Sequence, residues 1–212
     1  MPSTKPCLTL PVKARFFLGT LAPFERLLLV CSAESDEQAS KLQGLYLNSH
    51  NCIPWVQAHV ADTANTRDPS KPFLEPLEAL PKPIHAWLQA YVSGDSVYCQ
   101  QHASHLYTFA SLGGTPFQQR VWQALRYIPW GSHWTYQQVA TAVGSPQGQQ
   151  AVGQALKRNP LSLVIPCHRV QRTNGQTGGY ANGETLKSWL LQHEQRPSLP
   201  AKNPPSCFQP AS

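Results

Sequence analysis

The sequence predicts an α+β protein: a small N-terminal layer of strands and one helix, then a mostly helical C-terminal part that holds a helix-turn-helix. Three observations support this prediction. Short apolar segments bounded by turn residues come first, well-capped helices follow after Gly113, and the positive charge is concentrated in that second part.

Composition places the chain among globular intracellular proteins. Of its 212 residues 41% are hydrophobic, and no apolar run approaches the length of a membrane span or of a signal-peptide core. We therefore expect a cytoplasmic or nuclear location. The six cysteines are scattered, which indicates reduced thiols and not a disulfide framework.

The net charge of +6 is unevenly divided. Residues 113–212 carry nine Lys or Arg against two Glu, or +7, whereas residues 1–112 carry eight against nine acidic residues, or −1. A basic half suggests a polyanionic partner.

The N-terminal elements are predicted from short patterns. Residues 15–19 and 26–31 indicate two strands around a turn, and residues 45–47 a third. The polar, Pro-rich stretch 61–83 is predicted to be irregular, and apolar positions 84, 87, 88, 91 and 92 predict a helix that ends near Gly94. Residues 100–112 would then form a linker.

Two helix starts in the C-terminal half share one device, a Thr N-cap with Gln three residues later. Thr115 begins a helix whose apolar face runs to Ile128, and Thr135 begins a short helix that stops at Gly144. A further short helix spans about residues 149–157, so the last two make a helix-turn-helix candidate. The alternative is an ordinary helical hairpin, since the turn is longer than usual.

The second helix of that pair presents small residues, Ala151, Gly153 and Ala155, and no Arg or Asn placed to read base edges. A small-faced helix can approach a backbone or a narrow groove closely. It should therefore bind DNA without reading much sequence.

The segment Pro166-Cys167-His168-Arg169-Val170 follows the apolar run 161–165. A thiol beside a histidine that can take its proton is typical of an activated nucleophile, because the thiolate is the attacking species. Two other readings remain open, an inert buried cysteine and, less favoured, a metal ligand. Beyond it lie a Gly-rich loop at 173–180, a helix over 184–194 and a Pro-rich tail from 195 that is predicted to be disordered.

From Gly113 to Glu194 the chain resembles the O6-alkylguanine-DNA alkyltransferases, also called methylated-DNA–protein-cysteine methyltransferases. The matching segments are Thr115-Pro116-Phe117-Gln118, Thr135-Tyr136, Asn159-Pro160, Ile165-Pro166-Cys167-His168-Arg169-Val170, Gly179-Tyr180-Ala181 and Lys187-Ser188-Trp189-Leu190-Leu191. The family implies a ribonuclease-H-like N-terminal layer and a helical C-terminal domain with a winged-helix-like helix-turn-helix that binds the minor groove and flips the damaged base. The expected division is 1–99, linker 100–112, domain 113–194 and tail 195–212.

The resemblance also implies residue roles. Cys167 would accept the alkyl group, His168 would be its base through a water, and Glu194 would orient His168. Tyr136 would act at the DNA backbone and near guanine O6, and Asn159 would hold the turn before the active site. The base pocket would be lined by Val170, Tyr180 and Ala181.

Contacts to DNA are expected from the helix pair and from nearby cations. They are Thr135, Tyr136, Gln150, Ala151, Gly153, Ala155, Lys157, Arg158, Arg126 and Arg172. Two positions depart from the family pattern: Gln150 stands where an arginine commonly fills the space left by the flipped base, and Asn182 stands where glycine is usual.

The chemistry suits these residue types. A thiolate is a soft nucleophile for an alkyl carbon, and the thioether that forms has no easy hydrolysis, so each molecule should act once and without a cofactor. The expected partner is double-stranded DNA containing alkylated guanine, possible substrates extend to O4-alkylthymine, and the protein should be a monomer. A zinc site built from Cys7, Cys31 and the histidines at 50, 59, 85, 102 and 105 is not predicted, because their spacing follows no ligand pattern.

Two other functions compete with this one. A non-catalytic protein that recognises alkylated DNA and signals to other repair proteins would lack the nucleophilic cysteine. A cysteine hydrolase would need an oxyanion hole and turnover.

Overall fold

A computed structural model describes residues 14–21, 24–32, 40–47, 74–174 and 179–195. The strands are β1 (Ala14–Leu21), β2 (Phe24–Ser32), β3 (Leu42–Leu47), β4 (Leu74–Glu75), β5 (Trp134–Thr135) and β6 (Val170–Gln171). The helices are α1 (Lys82–Ser93), α2 (Ser96–His102), α3 (Phe109–Leu112), α4 (Pro116–Leu125), α5 (Tyr136–Ala142), α6 (Gln149–Lys157) and α7 (Glu184–Glu194). Among them, no helix is both long and apolar enough to cross a bilayer.

The N-terminal half is built on a sheet with the order β3-β2-β1-β4, in which β1 and β2 form an antiparallel hairpin and β4 runs parallel to β1. This confirms the three predicted strands. Strand β4, a 3-10 helix over Leu77–Ala79 and the start of α1 lie in the stretch predicted to be irregular. That prediction is therefore wrong for residues 74–75, 77–79 and 82–83. Residues 61–73 of the same stretch lie outside the described residues.

Helix α1 confirms the predicted amphipathic helix. It buries Ile84, Trp87, Leu88 and Tyr91, and it ends at Gly94, whose φ of 83° is the left-handed cap that glycine adopts without strain. The stretch predicted as a linker is largely helical, since it contains the end of α2, a 3-10 turn and α3.

The C-terminal helices begin as predicted. Both Thr115 and Thr135 make complete capping boxes with the glutamine three residues on. Helix α4 ends at Leu125, short of Ile128, because the chain turns through 3-10 hydrogen bonds before Pro129; Ile128 is nevertheless buried. Helix α6 has the predicted bounds, and Trp122 of α4 donates from Nε1 to the Ala155 carbonyl at 3.0 Å.

The two halves are joined through the edge of β3. The Leu45 N–H donates to the Pro160 carbonyl at 2.8 Å, and the Ser162 N–H donates to the Leu45 carbonyl at 3.1 Å. The apolar run before the cysteine is therefore attached to the N-terminal sheet. Buried residues of both halves form one continuous hydrophobic core.

Candidate active site

Cys167 begins a 3-10 helix, Cys167–Arg169, that leads into β6. The apolar run before it is a compact turn and not a strand: the Ile165 N–H donates to the Leu161 carbonyl, and Leu163 has a φ of 72°. That conformation is uncommon for a leucine and is held here by burial of its side chain.

The thiol is 6% exposed and accepts a hydrogen bond from Asn159 Nδ2 at 3.1 Å. The same nitrogen donates to the Ile165 carbonyl at 2.8 Å, and Asn159 Oδ1 accepts from the Leu161 N–H at 3.0 Å. Burial raises the pKa of Cys167, while the hydrogen bond from Asn159 and the charge of Lys187 lower it. Asn159 therefore fixes the turn and contacts the thiol of Cys167.

His168 lies next to the cysteine and is completely buried. Its Nε2 is 2.8 Å from Glu194 Oε1, and its Nδ1 is buried with no hydrogen-bond partner within the described residues. Burial lowers the pKa of His168 and Glu194 opposes that change, which leaves a neutral imidazole with Nε2–H facing the carboxylate. The free Nδ1 can then accept a proton.

Glu194 is held by a second neighbour of the cysteine. Arg169 donates from Nε to Oε2 at 2.7 Å and from Nη2 to Oε1 at 3.0 Å, and its Nη1 donates to the Ile128 carbonyl at 2.7 Å. Burial alone would raise the pKa of Glu194, but Arg169 and His168 hold it well below its usual range. The carboxylate is therefore ionised and fixed in orientation.

Sequence reasoning assigned no role to three residues of this site, Arg169, Lys187 and Tyr91. Lys187 is 1% exposed and donates from Nζ to the Val170 carbonyl at 2.6 Å; burial lowers its pKa to about 8. Tyr91 of α1 donates from its hydroxyl to Glu194 Oε1 at 2.7 Å. Arg169 and Lys187 are charged residues within otherwise mainly apolar motifs, and this pattern could have indicated buried ion pairs or hydrogen bonds. Tyr91 lies on an apolar helix face, where nothing in the sequence distinguishes it from an ordinary core aromatic residue.

Two of the expected pocket residues, Tyr180 and Ala181, differ in burial. The Tyr180 hydroxyl is buried and has no hydrogen-bond partner of normal geometry in the described part of the chain. Burial raises the pKa of Tyr180, and the nearby Cys167 raises it further. Ala181 is exposed, and Asn182 donates from Nδ2 to Ser162 Oγ at 3.3 Å. Residues 175–178 of the Gly-rich loop lie outside the described residues.

Tyr136 begins α5 and is half-buried. Burial raises the pKa of Tyr136, and among nearby groups Arg172 lowers it while Cys167 raises it, so this phenol lies near both. A Cβ placed at Gly153 of α6 would lie 3.8 Å from Tyr136 Cε1. The two helices therefore bring Tyr136 to the rim of the cysteine site.

The expected DNA contacts fall into three groups. Exposed residues are Gln150, Ala151, Lys157, Arg158, Arg172 and Arg126, and half-exposed residues are Thr135, Tyr136 and Gly153. The prediction for Ala155 is corrected: it is 1% exposed, because Trp122 covers that end of α6, and its side chain cannot reach DNA. Arg126 is exposed but lies over the rings of Tyr107 and Phe109, at 5.9 and 5.7 Å.

The residues considered for a zinc site are only partly among the described residues. Cys7, His50 and His59 lie outside the described residues. Within the described part, no three His, Cys, Asp or Glu side chains are grouped to hold a metal ion.

The chain is similar to known proteins in sequence and in fold. The sequence model described as "6-O-methylguanine DNA methyltransferase, DNA binding domain" matches residues 116–196. The constitutive methylated-DNA–protein-cysteine methyltransferase of Bacillus subtilis is 37% identical over 163 residues, which cover 75% of this chain and 86% of the relative. The Salmonella typhimurium enzyme of the same name is 55% identical over 82 residues, 39% of this chain, so the match spans about half (48%) of that relative's length.

Among solved structures, Mycobacterium tuberculosis OGT in complex with DNA superposes with a TM-score of 0.60 at 27% identity, covering 85% of this chain and 92% of that one. The fold and the buried Cys-His-Glu arrangement thus define a class of α+β protein with a buried cysteine beside a carboxylate-bound histidine. The extended similarity to the Bacillus protein shows that the chain belongs to the methylated-DNA–protein-cysteine methyltransferase family.

Proposed function

We propose that the protein repairs DNA by direct reversal, transferring a methyl or small alkyl group from O6-alkylguanine in double-stranded DNA to Cys167. The observation that carries the proposal is the buried thiol that contacts Asn159 and adjoins a His168–Glu194 pair at 2.8 Å. Membership of the family supports the substrate class.

The side chains supply each requirement of the displacement. The thiol proton passes to His168 Nδ1, through a water as the resemblance implies, while Nε2–H stays on Glu194. Sγ forms a bond to the alkyl carbon as the bond from that carbon to O6 breaks. The guanine takes up the proton that the thiol gave, and Tyr136 donates a hydrogen bond to the departing oxygen.

The product explains why one molecule acts once. A thioether at Cys167 has no acyl carbon for water to attack, so the buried site cannot regenerate the thiol. No cofactor takes part in these steps. The protein acts as a monomer, and O4-alkylthymine is a possible further substrate.

The helices α5 and α6 form the DNA-binding helix-turn-helix of a winged-helix-like domain, and the sheet half is the ribonuclease-H-like layer. Exposed Lys157, Arg158 and Arg172 bind phosphates, with Arg126 as a more distant contact. The flipped base enters between Tyr136 and the carbonyl of Val170, with Tyr180 and Ala181 as further pocket residues. The small side of α6, at Ala151 and Gly153, allows close approach to the groove.

Intact-protein mass spectrometry tests the proposal. After incubation with duplex DNA containing O6-methylguanine, we expect a gain of one methylene unit on the peptide that holds Cys167, and the stoichiometry stops at one. Cys167→Ala should abolish the gain and keep DNA binding. Continued turnover, or modification of a different cysteine, would contradict the mechanism.

The rival function, a non-catalytic sensor of alkylated DNA, is disfavoured by Cys167 itself. The same experiment separates the two, since a sensor would bind the modified duplex and gain no mass.

A further inference from the structure

The hydroxyl of Tyr91 contacts the site from the other half of the molecule. Tyr91 lies on α1, is 1% exposed and donates to Glu194 Oε1 at 2.7 Å. The same oxygen faces His168 Nε2 at 2.8 Å and accepts from Arg169 Nη2 at 3.0 Å. Three donors therefore converge on the atom that orients the base of the reaction.

The ring of Tyr91 is fixed independently of that hydroxyl. It packs edge-on against Trp130 with centroids 5.0 Å apart and stacks on Trp87 at 5.5 Å. The backbone carbonyl of Tyr91 lies 2.7 Å from His193 Nε2, one residue before Glu194. Helix α1 thus holds both the end of α7 and its carboxylate, and removing the hydroxyl would leave these packing contacts in place.

We propose that Tyr91 is a positioning residue for alkyl transfer, which fixes Glu194 Oε1 against His168 and so makes the site depend on the N-terminal half. The proposal rests on the proposed function. A phenol is suited to this role, because it donates one hydrogen bond to a carboxylate and remains neutral. The phenol and His168 both donate a hydrogen bond to Oε1, and the phenol does not take up the proton that His168 accepts from the thiol.

The titratable groups around Glu194 and His168 determine how transfer should depend on pH. Glu194 is faced by Tyr91 from α1, by Cys99 from α2, and by His168 and Arg169 from the 3-10 helix; His168 is also faced by Lys187 from α7. Without the hydrogen bond from Tyr91, the negative charge on Glu194 Oε1 is less compensated and stabilises the protonated imidazole more strongly. The pKa of His168 therefore rises. More His168 is then protonated at a given acidic pH and cannot accept the thiol proton.

Tyr91→Phe is the test, and Tyr107→Phe is its matched control. Tyr107 is also buried, at 4% exposed, but its hydroxyl has no hydrogen-bond partner within the described residues. The measurement is the rate of methyl transfer from O6-methylguanine duplex against pH, together with affinity for the same duplex and the unfolding midpoint in urea. Because the lost hydrogen bond acts on His168 only through Glu194, we expect the half-maximal pH to rise by about 0.5 to 1 unit.

Transfer by Tyr91→Phe should therefore fall several-fold on the acid side and less than about twofold on the plateau, with DNA affinity unchanged. Tyr107→Phe should leave the profile in place. An unshifted profile for Tyr91→Phe, or a chain that no longer folds, would overturn the proposal, since the hydroxyl would then serve the fold alone. Absence of transfer in the unsubstituted protein would instead refute the proposed function.

Discussion

At the scale of single residues, the side-chain amide of Asn159 has two roles: it contacts the thiol, and it stabilises the turn before it. One nitrogen donates both to Sγ of Cys167 and to the Ile165 carbonyl, so the group that lowers the pKa of the thiol also closes the turn that carries it. Nucleophile activation and backbone geometry are therefore coupled at this position.

Asn159→Ala should make the thiol less reactive. If the hydrogen bond from Asn159 stabilises the thiolate by about 1.4 kcal/mol, its loss raises the pKa of Cys167 by about one unit. Reaction with iodoacetamide without DNA, followed against pH and mapped to the Cys167 peptide, measures this. A midpoint that stays in place or falls would contradict the role of Asn159.

Gln150 is exposed on α6, where a longer side chain meets no obstruction of the core. A planar cation can fill the gap of an extruded base better than glutamine can. Gln150→Arg should therefore speed transfer from duplex DNA about tenfold if it recovers roughly 1.4 kcal/mol, and should leave transfer from single strands almost unchanged.

Gln154→Arg is the matched control, because Gln154 is exposed one turn along the same helix. It adds the same charge away from the expected gap. Equal acceleration by both substitutions would indicate general attraction to DNA, and equal acceleration on free base would place the effect at the cysteine.

At the scale of elements, two helices begin with the same capping box but differ in where they lie. Thr115 caps α4, and Thr135 caps α5 directly before Tyr136 at the proposed DNA surface. Replacement of either threonine by alanine should cost about 1 kcal/mol in the free energy of unfolding.

Only Thr135→Ala should also weaken binding to duplex DNA, because that cap sets the position of Tyr136 and Thr135 is itself an expected DNA contact. Urea unfolding and a fluorescence binding titration of the two variants provide the comparison. Equal binding losses would show that helix stability, and not location, controls affinity.

At the scale of the whole molecule, the sequence was informative where local rules act. Capping residues predicted the starts of α4 and α5, and the apolar period predicted α1, because both signals lie within a few residues. The roles of Cys167, His168 and Glu194 came from the family resemblance, and the structure brings these residues together. Tyr91 could not be predicted, since its contact with Glu194 joins residues 103 positions apart and its neighbours indicate only a buried helix face.

The same long-range contacts make Glu194 a link between the halves. Its carboxylate compensates the buried Arg169 and accepts from Tyr91, so Glu194→Gln leaves a buried cation poorly paired. Breaking one partner of such a pair costs about 3 to 5 kcal/mol, and we expect a loss of that size in urea unfolding at pH 7. Glu184→Gln, on the exposed first turn of α7, should cost about 0.5 kcal/mol or less.

The difference between the unsubstituted chain and Glu194→Gln should depend on pH in a defined direction. Because the folded-state pKa of Glu194 lies below its unfolded value of about 4.3, the stabilisation is complete above that pH and declines as the pH falls, by about 1.4 kcal/mol per unit. Urea unfolding at pH 7 and pH 3 should therefore show the two proteins about 2 kcal/mol closer at the lower pH. A difference that stays constant between pH 7 and pH 3 would mean that Glu194 is not held as a carboxylate in the folded protein.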